Sequence, residues 1–390
     1  MRKKIAILGS TGSIGKTLLK VLEKDKKNIK IYFLTANKNY KELIKQAKKF
    51  NVKNLIVKDK KSYLFLKKKF QNKNIKIYNN YDCFKKIIKK KLDYVMSSIV
   101  GLEGLKPTFE IIRFTKKIAV ANKESLICAW NLINKELKKN NTEFIPVDSE
   151  HFSISKLLEN HKESEIKKIY LTASGGPFLN FKHSQLRKVK PKDAIKHPKW
   201  RMGKKISVDS ATLMNKILEL IEAQKLFNIP MKKLEILIHP ESLVHAILEL
   251  KNGLKKFIYH ETSMIIPLAN AMFDGNLNID NYINTNLNKN KKIIENLVFE
   301  KVDKKIFPII KLKNIANKYP SSAIIINASN EILVDHFLRK KIPFLSISKI
   351  IMGILRDRNY KKYAIRKPKN IEQINKIDNW ARQITINKIK

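Results

Sequence analysis

The tightest constraint in this sequence lies at its start. Residues 4–9 read as an apolar strand, Gly9-Ser10-Thr11-Gly12-Ser13-Ile14-Gly15 follows at once, and Ser13–Leu22 reads as a helix. A chain that passes from strand to helix through this spacing must reverse tightly. It must also leave its backbone bare and seat the helix close to the sheet. The helix N-terminus then offers N–H groups and a positive dipole end to a pyrophosphate. The spacing is G-x-x-G-x-x-G, a variant of the commoner dinucleotide fingerprint, and the strand before it with the helix after it is the context that gives the motif meaning. A bare tight turn is the alternative reading.

The segments that follow alternate. Strands are predicted at 29–34, 54–57, 75–78, 94–97 and 117–120, with helices at 40–50, 63–70 and 83–90 between them. Such alternation builds a parallel sheet covered on both faces. The expected fold class is α/β, with a Rossmann-like doubly wound parallel sheet over residues 1–147. Residues 148–275 read as a central α+β domain, with strands at 168–172, 234–238, 244–250 and 255–260 and a helix at 211–227. Residues 276–310, rich in Asn and Lys at first, read as a linker, and 311–390 as a C-terminal helical bundle.

The end of the second strand bears on which nucleotide fits. An enzyme using NAD carries an acid there for the ribose hydroxyls. This chain has Thr35-Ala36-Asn37-Lys38-Asn39, with no acid and one cation. That favours the 2′-phosphate of NADPH, although Lys38 is one lysine among many. Asn37 suits a left-handed backbone position, which asparagine tolerates.

Two further segments carry chemistry. Asp148-Ser149-Glu150 follows the apolar run Phe144–Val147. If the strand continues, the two carboxylates face one way, and hard oxygens of this kind suit Mg²⁺ or Mn²⁺. An ordinary helix start capped by Ser149 is the competing reading. In the second segment, Asp209 or Ser210 is placed to cap a helix. On that helix Asn215 and Glu219 stand at i, i+4, and Lys216 and Glu219 at i, i+3. An amide, an ammonium and a carboxylate can thus meet one ligand: a phosphate on Ser210, Asn215 and Lys216, a metal on Glu219. A surface Lys–Glu pair is the alternative, opposed by the apolar neighbours Ile217, Leu218, Leu220 and Ile221, which make the helix largely buried. Residues His197–Gly203, with Trp200 and Met202 between Pro198 and Gly203, read as a lid or as a loop packing its Trp.

The net charge is +47, from 81 Lys and Arg against 34 Asp and Glu. A polyanion partner is one reading. The charge is spread along the chain and arginine is scarce, so lysine filling solvent positions accounts for it, and no specific nucleic acid is expected. No apolar run is long enough for a membrane span. Lys3-Lys4 lead into only a short apolar stretch, unlike a secretory signal, so a cytoplasmic protein is expected, or a mature one already stripped of a transit peptide. Cys83 and Cys128 form no paired motif and read as ordinary thiols.

Taken together, these residues closely resemble the 1-deoxy-D-xylulose 5-phosphate reductoisomerase family, which commits carbon to non-mevalonate isoprenoid synthesis. The matching blocks are Gly9–Gly15, Ala121–Ser125, Pro146–Glu150, Ala173–Phe178, His197–Glu222, His239–Ser242 and Asn327–Glu331, in the family's order. The resemblance implies a skeletal rearrangement followed by hydride delivery from NADPH, giving 2-C-methyl-D-erythritol 4-phosphate, in a homodimer. It implies that Asp148, Glu150 and Glu219 hold a divalent metal. Ser174, Ser210, Asn215 and Lys216 would bind the phosphate with His197 beside it. Lys123, Ser149 and Glu150 would meet the substrate's oxygenated carbons, Trp200 and Met202 the lid. Thr11, Gly12, Ser13, Ile14, Asn37, Lys38, Asn39, Asn122, Glu124 and Gly203 would contact the cofactor. The chain departs at Ser263-Met264-Ile265, where the family has Asp-Met-Arg near a strand expected after 255–260. Two other readings each explain part of the sequence. A semialdehyde or homoserine type of NAD(P) dehydrogenase gives the carboxylate set no role. A basic nucleic-acid-binding protein gives the glycine turn none.

Overall fold

The computed structural model describes residues 2–71, 74–200, 202–283 and 296–389. Packing divides it into two compact units. The first holds residues up to Leu126, Asn131–Phe152 and the segment from Ser263; the second holds Ile127–Trp130, Ser153–Thr262 and the C-terminal segment.

The first unit is built on a seven-stranded sheet ordered β4-β3-β2-β1-β5-β6-β7. Its strands are β1 (Lys3–Leu8), β2 (Ile29–Ala36), β3 (Asn54–Val57), β4 (Lys76–Tyr78), β5 (Leu92–Ser97), β6 (Thr115–Val120) and β7 (Glu143–Pro146). All neighbours run parallel. The principal helices are α1 (Ser13–Lys24), α2 (Tyr40–Phe50), α3 (Lys60–Lys69), α4 (Leu105–Ile111) and α5 (Lys123–Lys139). Strands buried on both faces need apolar side chains throughout, and Ile5, Ala6, Ile7 and Leu8 of β1 have no exposed surface. The chain winds outward from β1 to β4, then returns to place β5 on the other side of β1. That reversal is the switch point, where open sheets bind ligands beyond their strand ends. The helix α6 (Ser149–Leu158) follows β7.

The second unit contains a five-stranded mixed sheet ordered β11-β10-β8-β9-β12. Its members are β8 (Ile166–Ala173), β9 (Leu234–Ile238), β10 (Val244–Leu250), β11 (Lys255–Tyr259) and β12 (Glu300–Lys301). Only β8 and β9 pair in parallel. Between them run α7 (Lys204–Thr212) and α8 (Met214–Phe227). The sequence pattern predicted one helix over 211–227. Leu213, at φ +67°, breaks it in two, and Thr212 Oγ1 accepts the Met214 N–H at 3.3 Å across the break. Asp209 and Ser210 therefore lie inside α7 and cap nothing, contrary to the sequence expectation.

No strand comes directly after β11. Ser263-Met264-Ile265 leads into α9 (Ile265–Phe273), which belongs to the first unit. Leu268, Ala271 and Met272 join the core of β1, β2 and α1, with Met264 packed against it, and Lys3 Nζ donates to the Met272 carbonyl at 2.5 Å. Sequence periodicity assigns 263–275 to the middle domain because it cannot show a helix returning to an earlier sheet. Residues 284–295 of the expected linker lie outside the described residues. The C-terminal part is helical, with α10 (Ser322–Leu338), α11 (Ser346–Ile354) and α12 (Ile371–Ile389).

Candidate active site

The glycine turn sits at the switch point and is tied down on three sides. Gly9, at φ +81°, lies so close to the end of β5 that a methyl group on it would stand 2.8 Å from the Ser98 carbonyl oxygen. The Gly9 N–H donates to Thr35 Oγ1 at 2.8 Å, and the Ser10 N–H to the Thr35 carbonyl at 2.9 Å. Gln46 Nε2 donates to the Ser10 carbonyl at 3.0 Å while the Ser10 hydroxyl donates to Gln46 Oε1 at 2.7 Å. Gly12 and Ser13 stand exposed at the start of α1, and Thr11 and Ile14 are half-buried. Thr35, Gln46 and Ser98 thus shape the turn, yet no pattern around them in the sequence marks them.

Asn37, Lys38 and Asn39 form an exposed turn after β2. Asn39 caps α2, its side chain accepting the Glu42 N–H at 3.3 Å. The turn is braced by the loop after β3 and the start of α3: the Asp59 N–H donates to the Asn37 carbonyl at 3.3 Å, and the Ser62 hydroxyl, which donates to Asp59 Oδ2 at 2.8 Å, lies 3.4 Å from the Lys38 carbonyl. The left-handed conformation expected for Asn37 is absent, since it is not among the residues with positive φ. The bracing from Asp59 and Ser62 holds the turn without it.

Asn122 also serves as a cap. Its Oδ1 accepts the Ser125 N–H at the start of α5, and its Nδ2 donates to the Ile99 and Gly101 carbonyls. The side chain is thereby committed to the loop after β5. Lys123 opens α5, and Glu124 beside it is buried.

Lys123 Nζ lies 3.5 Å from Asp148 Oδ2. Asp148 precedes α6, and its Oδ1 accepts the Glu150 N–H at 3.3 Å. The expected strand geometry ends at Pro146, so the first turn of a helix, and not strand alternation, sets where the two carboxylates stand. Ser149 does not cap this helix; its hydroxyl donates to Glu150 Oε2 at 2.7 Å. His151, fully buried, places Nδ1 3.3 Å from Asp148 Oδ1. Burial works to raise the Asp148 carboxyl, but Lys123 beside it, helped by His151, holds it below the usual carboxylate range against the opposing Glu150. His151 was missed by sequence reasoning; its i, i+3 spacing from Asp148 was the available signal.

In the second unit, five expected phosphate residues gather around the break between α7 and α8. Ser174 follows β8, and its hydroxyl oxygen lies 2.9 Å from His197 Nε2 and accepts the Gly176 N–H at 3.1 Å. His197 Nδ1 accepts the N–H groups of Lys199 and Trp200 at 3.2 and 2.9 Å. That nitrogen carries no proton, so Nε2–H is the donor to Ser174. Burial, aided by the nearby Lys216 ammonium, pushes the imidazole down to about 4, which keeps it neutral. Gly176, at φ +64°, packs onto α7: a methyl group there would come within 3.1 Å of the Ser210 carbonyl oxygen. Glu219 is nearly fully buried on α8; Asn215 Nδ2 donates to its Oε1, and Lys216 Nζ lies 2.6 Å from its Oε2.

Trp200 and Met202 are half-buried in the loop before α7, and Gly203 is exposed as its N-cap. The Trp200 ring stands edge-on to His245, centroids 6.2 Å apart, and His245 stacks on His260 at 4.1 Å. Arg201 of the expected lid lies outside the described residues. Among the described residues, no helix is long and apolar enough to cross a membrane. Neither Cys83 nor Cys128 is in a disulfide.

A parallel sheet with a cradled glycine turn at its switch point, joined in one chain to a unit bearing a Ser-His-Lys cluster, defines a dinucleotide-binding oxidoreductase. Three family models match in succession: 1-deoxy-D-xylulose 5-phosphate reductoisomerase over residues 5–130, and two C-terminal domains of that enzyme over 144–227 and 261–384. A protein of that name from Pelagibacter ubique is 50% identical over 97% of both chains. One from Clostridium tetani is 40% identical over 96% of this chain and 97% of its own. The Zymomonas mobilis enzyme, solved in complex with NADPH, superposes with a TM-score of 0.87 at 33% identity over the whole of both chains. A DOX-P reductoisomerase complex with NADPH, fosmidomycin and magnesium gives 0.88 at 31% identity, covering 99% of this chain and 98% of that one. The chain belongs to the 1-deoxy-D-xylulose 5-phosphate reductoisomerase family.

Proposed function

We infer that this protein converts 1-deoxy-D-xylulose 5-phosphate to 2-C-methyl-D-erythritol 4-phosphate, using NADPH and a divalent metal, in non-mevalonate isoprenoid synthesis. The observation that carries the reading is the Ser174 hydroxyl, held by His197 and the Gly176 N–H so that its own proton is left for a ligand, with the Lys216 ammonium near the same imidazole and Gly176 seated against the Ser210 backbone. It stands in a chain whose other unit carries the nucleotide turn.

The residues fit the cofactor. A side chain on Gly9 would collide with the Ser98 carbonyl, so glycine there keeps the turn tight against the end of β5, and the first N–H groups of α1 suit a pyrophosphate. Lys38 offers a cation suited to a 2′-phosphate, and the carboxylate of Asp59, packed against the turn, is engaged by the Ser62 N–H and hydroxyl. Asn122, Glu124 and Gly203 are given to the cofactor by the family resemblance.

Asp148, Glu150 and Glu219 fit a divalent ion. They supply hard oxygens of the kind such an ion takes, and the family resemblance gives all three to one ion. An ion held there supplies Lewis-acid polarisation of substrate oxygens. Lys123 is aligned by Asp148 to steady negative charge that develops on the substrate. Ser149 turns Glu150 into place. Ser174, Ser210, Asn215 and Lys216 grip the phosphate, which fixes the reacting carbons at a distance. Trp200 and Met202 close over the substrate and exclude water. The protein works as a homodimer in the cytoplasm.

The test is oxidation of NADPH by the purified protein with the deoxyxylulose phosphate and Mg²⁺ or Mn²⁺. Turnover is expected only with all three present, and full turnover in excess chelator would remove the metal from the reading.

A further inference from the structure

Asp209 stands one residue before Ser210 on α7, and its carboxylate is almost wholly buried, at 1% exposure. A charge so placed needs partners. Lys205 Nζ lies 3.1 Å from Oδ2, one helical turn back. Asn330, itself fully buried on α10, donates from Nδ2 to Oδ1 at 2.7 Å. Both oxygens of Asp209 are thus held, one from its own helix and one from the C-terminal helices.

These two contacts fix the rotation of α7 about its axis. Consecutive residues on a helix point about 100° apart, so a side chain anchored on the inner face sets where its neighbour's hydroxyl stands. The opposite constraint comes from Gly176, pressed on the Ser210–Ala211 backbone. The helix ends three residues further on, at Leu213, whose left-handed conformation starts α8 with Asn215 and Lys216. A small roll of α7 would therefore move Ser210 and the start of α8 together. The ion pair with Lys205 also neutralises a carboxylate that would otherwise repel a nearby anion.

We propose that Asp209, held by Asn330 and Lys205, is a positioning residue for the phosphate pocket, and that the C-terminal helix α10 thereby takes part in substrate binding. The inference rests on the phosphate-site reading above.

The experiment compares the full-length parent with Asp209→Asn, Asn330→Ala and the double variant. Inorganic phosphate affinity is measured by calorimetry, the substrate KM and kcat by NADPH oxidation, and NADPH affinity by fluorescence. Weaker phosphate binding and a higher substrate KM, each by about tenfold, are expected in both single variants, with kcat changed by less than about threefold. The double variant should be no worse than the worse single one. NADPH affinity should match the parent. A general loss of structure would lower kcat and NADPH affinity as well, which separates positioning from unfolding. Should Asp209→Asn fail to fold, Asn330→Ala alone decides the matter. A folded Asn330→Ala variant with parental phosphate affinity and KM overturns the proposal. Absence of phosphate binding and turnover in the parent itself instead overturns the phosphate-site reading.

Discussion

Ser174 and His197 meet at 2.9 Å through a hydrogen bond whose direction is fixed. His197 Nδ1 already accepts two backbone N–H groups, so the proton sits on Nε2 and points at the Ser174 oxygen. That oxygen also accepts the Gly176 N–H. With both lone pairs engaged, the remaining function of the hydroxyl is its own proton, directed to a ligand. Ser174→Ala should raise the substrate KM by roughly 10- to 100-fold, the equivalent of about 1.5–3 kcal/mol for a hydrogen bond to a charged group. His197→Phe should give part of the same loss. The double variant should lose less than the sum, because both changes break one unit. Additive losses in the steady-state cycle would show that His197 does not orient Ser174.

The neutrality of His197 has a pH signature. Its pKa in the folded protein is pushed below the ordinary 6.5, to about 4. Between these two values the unfolded chain takes up a proton that the folded chain refuses, so stability falls as pH drops through that window. The contribution is fully present above about 6.5 and gone below about 4. Urea unfolding of the parent and of His197→Asn at stepped pH should show the parent's relative stability declining over that range. A difference that stays constant, or grows as pH falls, would mean the imidazole is not held neutral.

Gly176 and Gly253 form an internal control. Both have positive φ, +64° and +91°. A side chain at Gly176 meets the Ser210 carbonyl, whereas one at Gly253 meets nothing within 4 Å. Left-handed backbone costs an alanine about 1–2 kcal/mol. Gly253→Ala should therefore lower stability by about that amount and leave KM unaltered. Gly176→Ala should lower stability by more and also weaken phosphate binding, since Ser210 must move. Equal effects of the two on KM would separate the Gly176 contact from the phosphate site.

The sequence made the first sheet legible because strands buried on both faces leave continuous apolar runs, and because Gly9–Gly15 marks the switch point. It also placed the strands 234–238 and 244–250 at their observed bounds. What it could not show depends on contacts distant in sequence. Helix α9 returns to the first unit to cover α1, and nothing local to Ile265–Phe273 says so. Leu213 breaks a helix at a residue type that favours helix, so propensity pointed the other way. Among the candidate residues, Asp148 and Glu150 in the first unit and Asn215, Lys216 and Glu219 in the second stand out in the sequence as residue types at telling spacings. Thr35, Gln46 and His151 do not, because a supporting side chain leaves no pattern of its own.

Glu219 gives the sharpest test of the metal reading. It is buried at 1% exposure, with Lys216 on one oxygen and Asn215 on the other. Glu219→Gln keeps the shape and an acceptor oxygen but removes the charge that would bind a cation. The ion pair with Lys216 is lost as well, which should lower stability by about 1–3 kcal/mol. Turnover should fall by at least about a thousandfold, as expected when a transition-state contribution of about 4 kcal/mol is removed. NADPH affinity should stay within about twofold of the parent, because the glycine turn and the Asn37–Asn39 turn belong to the other unit. Calorimetric titration with Mn²⁺ should show the ion's affinity reduced in parallel. A folded Glu219→Gln variant that turns over at the parental rate would place the metal elsewhere. One that loses NADPH binding along with turnover would show the damage to be structural.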